Sequence, residues 1–138
     1  MDRYRVIDHT ADLGFLAYGD SPAELFVNAA FAVFDLMTDL SAVEPAQERG
    51  IDVTGSDWED LLVNYLREIL YIYNGEGMLL VDFIVAEIDP GHLSGAVRGE
   101  PFDARKHCIK REIKAVTYHG AEVSKTGEGW RGKAIFDV

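Results

Sequence analysis

The sequence contains 138 residues, of which 48% are hydrophobic and 11% aromatic, and it is long enough for one domain with its own core, residues 1–138. Asp and Glu outnumber Lys and Arg by 24 to 13, which gives a formal net charge of −11. Such a negative field opposes direct binding to the backbone of nucleic acids and favours a cation or a basic protein as the partner.

The composition also bears on the cellular compartment. No apolar run is long enough to span a bilayer, and the first residues lack the apolar region of a signal peptide. Cys108 is the only cysteine, which excludes an internal disulfide and is typical of a reducing cytosol. We therefore expect a cytoplasmic protein without membrane contact, in which Cys108 is half-buried and has no chemical role.

Two short strands are predicted first, at residues 4–7 and 15–18, and the segment between them is polar. Asp8-His9-Thr10-Ala11-Asp12 places two carboxylates and an imidazole within five positions. Carboxylate oxygens suit Ca²⁺ or Mg²⁺, whereas imidazole suits Zn²⁺, Ni²⁺ or Cu²⁺. A polar turn explains the same residues and is the commoner case, because Asp side chains often bond to the backbone two residues further on. On these residues alone the turn is favoured, and a metal site stays open.

Two amphipathic helices follow along the chain. The first is predicted to begin after Ser21 as N-cap, with Pro22 in its first position and Glu24 completing a capping box, and to end near residue 38. The second is predicted over residues 58–73, with Ser56 and Glu59 as its capping box and two glycines as its stop. Apolar residues recur at helical spacing in both segments, so each helix should turn one face to a core.

The two helices belong to a repeated pattern. Residues 24–28 (ELFVN) match residues 60–64 (DLLVN), and Gly19 matches Gly55, in both cases 36 positions apart. A strand that ends in glycine and leads into an acidic-capped helix therefore occurs twice. Two copies are too few for a solenoid, so we interpret the pattern as a pseudo-repeat within one domain.

The remainder of the chain is predicted to be strand. A turn is predicted at residues 89–92 and a hairpin turn at residues 126–129. The predicted strands are 51–54, 78–88, 93–99, 110–118, 121–123 and 130–138. This order predicts an α+β fold, with two helices packed on one side of a largely antiparallel sheet.

Basic residues are concentrated just before residues 115–119. Five of the 13 fall within ten positions: Arg105, Lys106, Lys110, Arg111 and Lys114. The favoured explanation is an exposed strand edge that is kept basic to prevent pairing with another chain. A local contact with an anion is the alternative.

Two motifs and the chain end together resemble the archease family. They are Asp8-His9-Thr10-Ala11-Asp12, the segment EIKAVTYH at residues 112–119, and the terminal Asp137-Val138. The resemblance extends over essentially the whole chain, and it is the combination of the two motifs that makes it specific. It implies an α+β domain and a protein that is not itself an enzyme.

The resemblance implies that the protein is a cofactor of the RtcB-type, GTP-dependent RNA-splicing ligase of tRNA splicing. In that role it would promote guanylylation of the ligase and its multiple turnover, and it would contact RNA only through the ligase. The resemblance further implies a divalent metal ion held by Asp12, Asp137 and an oxygen of Val138. Ca²⁺ is the expected ion, with Mg²⁺ or Mn²⁺ as alternatives, because an all-oxygen site with few protein ligands suits hard cations.

Three further residues are assigned to activation of the partner. Lys114 lies in the motif that the family treats as functional, where it could neutralise the acidic cluster or reach a phosphate. His9 and His119 belong to the two motifs, although a histidine in such a position is more often structural.

Two other classes of function stay open. One is a small metal-dependent hydrolase built from Asp8, His9, Asp12 and His119, which would need an activated water and a general base. The other is a chaperone-like binding module with an exposed apolar patch, which is disfavoured because the core accounts for the apolar stripes. A hydrolase should act alone, whereas an activator should be silent without its ligase.

Overall fold

The computed structural model describes residues 2–7 and 12–138. Within them the chain forms seven strands, two α-helices and a short 3-10 helix at Leu40–Ala42. The strands are β1 Tyr4–Ile7, β2 Leu13–Gly19, β3 Gln47–Thr54, β4 Met78–Asp89, β5 His92–Pro101, β6 Ala115–Thr126 and β7 Gly129–Asp137. The helices are α1 Pro22–Met37 and α2 Trp58–Asn74.

The strands form two antiparallel sheets. One has four strands in the order β1-β2-β7-β6, and the other has three in the order β3-β5-β4. Helix α1 packs against β2 and β4, and α2 packs against β6, β4 and β3, so each helix contacts both sheets. The α+β class with antiparallel pairing is confirmed. The prediction of a single sheet is wrong, because strand patterns do not state which strands pair.

The start of α1 is capped as the sequence predicts. Oγ of Ser21 accepts a hydrogen bond from the backbone N–H of Glu24 at 3.2 Å. The Glu24 carboxylate accepts from the backbone N–H of Asp20 at 3.0 Å. The bond to Ser21 satisfies a donor that the first turn of a helix leaves unpaired, the bond from Asp20 fixes the residue before the cap, and Pro22 brings no N–H donor.

The start of α2 differs from the prediction in which residues form the cap. Asp57 is the N-cap and accepts from the backbone N–H of Asp60 at 2.8 Å, while Asp60 accepts from the backbone N–H of Ser56 at 2.9 Å. The predicted capping box of Ser56 and Glu59 is therefore wrong. Glu59 instead accepts from the backbone N–H of Val123 on β6 at 3.0 Å, a tertiary contact that the local pattern cannot reveal.

The pseudo-repeat is present in the hydrogen bonds as well as in the sequence. Nδ2 of Asn28 donates to the carbonyl of Tyr18 at 2.6 Å, and Nδ2 of Asn64 donates to the carbonyl of Thr54 at 2.8 Å. Both the donors and the acceptors are 36 positions apart. Each asparagine thus ties its helix to the end of the strand that precedes it, and the two strand–helix units have the same local construction.

The core is built from the helix stripes and the inner faces of the sheets. All the apolar residues of the predicted α1 stripe are buried, namely Leu25, Phe26, Ala29, Ala30, Val33, Phe34 and Met37. Phe15 of β2 and Phe136 of β7 pack with ring centroids 5.2 Å apart, and Phe26 of α1 lies 5.8 Å from Tyr65 of α2. These contacts fix β2 and β7, from opposite ends of the chain, as neighbours in the four-stranded sheet.

Strand β6 starts later than predicted. Residues 110–114 precede β6 and are not strand, because they cross the end of α1, where the N–H of Lys110 donates to Met37 at 2.8 Å. Oγ1 of Thr38 donates to the carbonyl of Cys108 at 2.8 Å and holds the same segment. From Ala115 the strand continues to Thr126 with a bulge between Thr117 and Glu122, so the predicted strands 110–118 and 121–123 are parts of one. The predicted hairpin with β7 is confirmed.

Candidate functional site

The pairing of β2 with β7 brings the two acidic sequence motifs to the same end of the four-stranded sheet. In the antiparallel register, Leu13 is opposite Phe136. Asp12 directly precedes Leu13, and Asp137 directly follows Phe136. Residues from the beginning and the end of the chain therefore meet here, as the shared-ion hypothesis requires.

The side chains at this end alternate between the core and the surface. Leu13 is 6% exposed and Phe136 is fully buried, whereas Asp137 is exposed and Asp12 is half-buried. Because successive side chains of a strand point to opposite faces, the carboxylate of Asp137 is directed away from the core. Val138, which follows β7, is 41% exposed.

Lys114 lies directly beside Asp137. Its backbone N–H donates to the carbonyl oxygen of Asp137 at 2.8 Å, and its neighbour Ala115 pairs with Asp137 in the β6–β7 register. The Lys114 side chain is exposed. The structure therefore brings together the lysine of the second motif and the terminal aspartate, which the sequence places 23 positions apart.

The donor set at this end fits a hard cation. Asp12 and Asp137 offer carboxylates, and Val138 offers main-chain or terminal oxygen, while the carbonyl of Asp137 is already bonded to Lys114. Oxygen donors of this kind suit Ca²⁺, Mg²⁺ or Mn²⁺ rather than softer metals. Among residues 2–7 and 12–138, no group of three or more His, Cys, Asp or Glu could hold a metal. The two carboxylates and the oxygen of Val138 leave the other coordination positions of such an ion to further ligands.

The other predicted site residues are not gathered at this point. His119 is exposed on β6, four positions beyond Ala115, which corresponds to about 13 Å along a strand at the usual rise per residue. It lies in the bulge, where its carbonyl accepts from Oγ1 of Thr117 at 3.1 Å. Asp8 and His9 lie outside the described residues. The hydrolase alternative thus has His119 far along the strand from the Asp137 end.

A polar cluster between the end of β5 and the link that follows it was not predicted. The carboxylate of Glu100 accepts from Nζ of Lys106 at 2.7 Å, from the N–H of Glu44 at 2.8 Å, and from Nε2 of His107 at 2.9 Å. Lys106, together with the N–H of Glu44 and then His107, lowers the pKa of Glu100 to about 2. The His107 side chain is fully buried.

The contacts of His107 define its tautomer. Nδ1 accepts a hydrogen bond from the backbone N–H of Asp103 at 3.0 Å and therefore carries no proton. Nε2 is then the protonated nitrogen, and it donates to Glu100. This pair pins the link to the end of β5, a structural role that no local sequence pattern indicates.

The basic residues before β6 are not the strand edge that was predicted. Arg105 and Lys106 pair with Asp103 and Glu100, at 3.3 and 2.7 Å. Lys110, Arg111 and Lys114 precede β6. Cys108 in this link is exposed rather than half-buried, because its neighbour His107 occupies the buried position.

The architecture and the site define a class: a small α+β domain whose two antiparallel sheets share two helices, with an acidic end where the first and last long strands meet. The chain matches the archease protein family over residues 4–138. It belongs to this family. No helix in the described ranges is long and apolar enough to cross a membrane.

Individual relatives agree with this assignment. Protein archease from Methanopyrus kandleri is 42% identical over 135 residues, which are 96% of each chain. The solution structure of protein 1598 from Methanobacterium thermoautotrophicum is 38% identical and superimposes with a TM-score of 0.86 over the whole of both chains. A crystal structure from Thermotoga maritima, described as an archease and possible chaperone, shares the fold with a TM-score of 0.62 and 20% identity. The superposition covers 96% of this chain and 94% of that one.

Proposed function

We propose that this protein is a cytoplasmic activator of the RtcB-type, GTP-dependent RNA-splicing ligase in tRNA splicing. It promotes guanylylation of the ligase and its multiple turnover, and it has no catalytic activity of its own. RNA is contacted by the ligase and not by this chain, whose net charge of −11 opposes binding to the phosphate backbone. Membership of the archease family is the basis for naming this partner.

The observation that carries the proposal is the β2–β7 register. Leu13 opposite Phe136 leaves Asp12 and Asp137 as the next residues at one end of the sheet, with Lys114 bonded to the backbone of Asp137. Carboxylates from two neighbouring strands that lie at the same end of a sheet are oxygen donors of the kind that hard cations take. Asp12, Asp137 and Val138 are therefore proposed to hold a divalent cation, with Ca²⁺ preferred and Mg²⁺ or Mn²⁺ as alternatives.

Separate roles are proposed for the ion and for the residues around it. When bound, the ion supplies positive charge and vacant coordination positions for oxygen ligands of the partner. Asp12 and Asp137 would hold the ion through their carboxylates, which the pairing of β2 with β7 brings to the same end of the sheet. The exposed Lys114 side chain adds a second positive group beside this edge, and His9 and His119 are assigned to partner activation with it.

The test measures guanylylation of the purified ligase with GTP and a divalent ion, with and without this protein. Wild type should accelerate the step, Asp12→Ala should not, and Glu87→Ala should behave as wild type. Glu87 is a matched control because it is an exposed carboxylate on β4, in the other sheet. Intact folding of each variant is checked by thermal unfolding.

The opposite result would remove the proposal. If wild type leaves the rate of a competent ligase unchanged, the activator role fails, and the hydrolase alternative should then be screened with the protein alone. If Asp12→Ala activates as well as wild type, the activator role stands and the site at Asp12 fails.

A further inference from the structure

A groove runs between α2 and β6 on the side of the molecule that carries Lys114. It has a volume of about 280 Å³ and is lined by Arg67, Leu70, Tyr71, Asn74, Lys114, Ala115 and Val116. Two of the lining residues are cationic, one from the helix and one from the residue before the strand. We call this feature the α2–β6 groove.

Arg67 is held in place by contacts that leave most of its donors available. Its guanidinium lies over the ring of Tyr118, 4.6 Å from the centroid, and Nη2 donates to the carbonyl of Val116 at 3.3 Å. A guanidinium has five N–H donors in a rigid fork, and this carbonyl accounts for one of them. The side chain is therefore pre-oriented at the groove before any ligand arrives.

Tyr118, on which Arg67 stacks, is itself fixed from the beginning of α2. Its hydroxyl donates to the carboxylate of Asp60, which also accepts from the backbone N–H of Ser56. Hydrogen bonds from Tyr118 and Ser56 lower the pKa of Asp60, and the bond to Asp60 raises the pKa of Tyr118, so the phenol stays a donor at neutral pH. This chain of contacts reaches from the helix cap to Arg67.

Lys114 is positioned through its backbone. Its N–H donates to Asp137, and Nδ2 of Asn74 donates to the carbonyl of Ile113 at 3.1 Å and, more weakly, to that of Lys114 at 3.5 Å. The backbone at Lys114 is thus hydrogen-bonded to both β7 and α2 at the point where its side chain lines the groove. The exposed side chain is free to adjust, whereas its origin is fixed.

Neither Arg67 nor Lys114 forms an ion pair in the described part of the protein, although the charge of Arg67 contributes to lowering the pKa of Asp60. Arg49, Arg98 and Lys106 form ion pairs with Glu76, Glu48 and Glu100. Within residues 2–7 and 12–138, by contrast, no carboxylate lies within 4.0 Å of the charged nitrogens of Arg67 or Lys114. A chain with 24 acidic residues therefore keeps two cations of one groove available to an external anion.

We propose that the α2–β6 groove binds a phosphate-type anion, with Arg67 as a bidentate donor and Lys114 as a point charge. A planar guanidinium matches two phosphate oxygens, and an ammonium adds charge without fixed geometry. This proposal adds Arg67 and a class of ligand to the role proposed above for Lys114. For Lys114 it therefore rests on the proposed function. The ligand is a phosphate group, free or carried by a nucleotide.

The test is a titration of inorganic pyrophosphate into the protein alone, followed by amide chemical shifts and by calorimetry at low salt. Wild type should bind saturably, with shifts at residues of the groove. Arg67→Gln and Lys114→Gln should each weaken binding by about tenfold or more, as expected for lost charge-assisted hydrogen bonds. Lys125→Gln is the matched control, since Lys125 is exposed near the opposite end of β6.

Two results of the titration would contradict a specific phosphate site. They are binding that does not saturate, and binding that Lys125→Gln weakens as much as Arg67→Gln and Lys114→Gln do. Either result would mean that pyrophosphate is attracted only diffusely by the surface charge. A parallel titration with a nucleoside triphosphate distinguishes the sources of the phosphate. Equal affinity for pyrophosphate and the nucleoside triphosphate would show that the phosphates alone are recognised. Tighter binding of the nucleotide that is lost in Tyr71→Ala would show an additional contact with the Tyr71 ring. Binding of the nucleotide without binding of pyrophosphate would refute the proposal.

Because no ligase is present in the titration, its result is independent of activation. The protein can bind pyrophosphate and fail to activate the ligase, or activate the ligase without binding pyrophosphate. Thermal unfolding of Arg67→Gln verifies that loss of the contact with Tyr118 has not unfolded the domain.

Discussion

The backbone N–H of Lys114 donates to the carbonyl oxygen of Asp137, 2.8 Å away, one residue before β6 begins. This bond joins the end of the chain to the motif that carries the lysine. The bond occupies one of the two lone pairs of that carbonyl oxygen, and it does not involve the carboxylate of Asp137, which is the donor proposed for an ion. Charge of both signs is thereby concentrated at one edge of the four-stranded sheet.

Removal of the Lys114 side chain should affect function and not folding. Lys114→Ala keeps both backbone hydrogen bonds, and the side chain is exposed, so the free energy of unfolding should change by no more than about 0.5 kcal/mol. Ligase guanylylation in the presence of the variant should fall by about tenfold, the usual scale for a lost charge-assisted contact. Full activation by Lys114→Ala would exclude its functional role, and Lys125→Ala serves as the control.

Glu100 should make stability depend on pH in the acid range. Lys106, the N–H of Glu44 and His107 lower its pKa from 4.5 to about 2, so folding favours the carboxylate. The stabilisation is complete above about pH 4.5 and is lost as the pH falls toward 2. Glu100→Gln should therefore be less stable than wild type at pH 7, and the difference should shrink over that interval.

Urea unfolding of both proteins across this range measures the effect. Glu87→Gln, which alters an exposed carboxylate on β4, should give a curve parallel to that of wild type. A gap between Glu100→Gln and wild type that stays constant from pH 7 to pH 2 would contradict the assignment.

Gly99 should be intolerant of any side chain. It lies on β5 opposite Leu80, next to a bulge in β4, and a Cβ there would meet the carbonyl oxygen of Leu79 at 1.8 Å. Since backbone must move, Gly99→Ala should lower the free energy of unfolding by about 2 kcal/mol or more. Gly50→Ala on β3, where a Cβ meets nothing within 4 Å, should change it by no more than about 0.5 kcal/mol. Equal effects of the two substitutions would be inconsistent with this packing.

Tyr65 should be replaceable by phenylalanine. Its ring is buried between the helices, and its hydroxyl has no hydrogen-bond partner among the described residues. Because a buried donor without a partner is unfavourable, Tyr65→Phe should leave the free energy of unfolding unchanged or raise it by up to about 1 kcal/mol. Tyr4→Phe is the comparison, since the Tyr4 hydroxyl donates to Asp35 at 2.6 Å, and its loss should cost about 1 kcal/mol. A clear loss for Tyr65→Phe would reveal a partner for this hydroxyl.

The sequence by itself determined the elements whose physics is local. The cap at Ser21, the apolar stripes of both helices and the 36-residue repeat depend on neighbours within a few positions, and all were predicted correctly. The cap of α2 failed because Asp57 and Ser56 both satisfy the pattern, and the choice between them depends on Glu59 being drawn to β6.

Only the tertiary structure decided what depends on contacts between distant residues. The division into two sheets, the late start of β6 and the burial of His107 against Glu100 follow from pairings that strand and helix periodicity do not encode. The same holds for the α2–β6 groove, which Arg67 of α2 and Lys114, the residue before β6, both line. Periodicity states which face of an element is apolar, whereas the partner of that face is selected by the free energy of packing the whole chain.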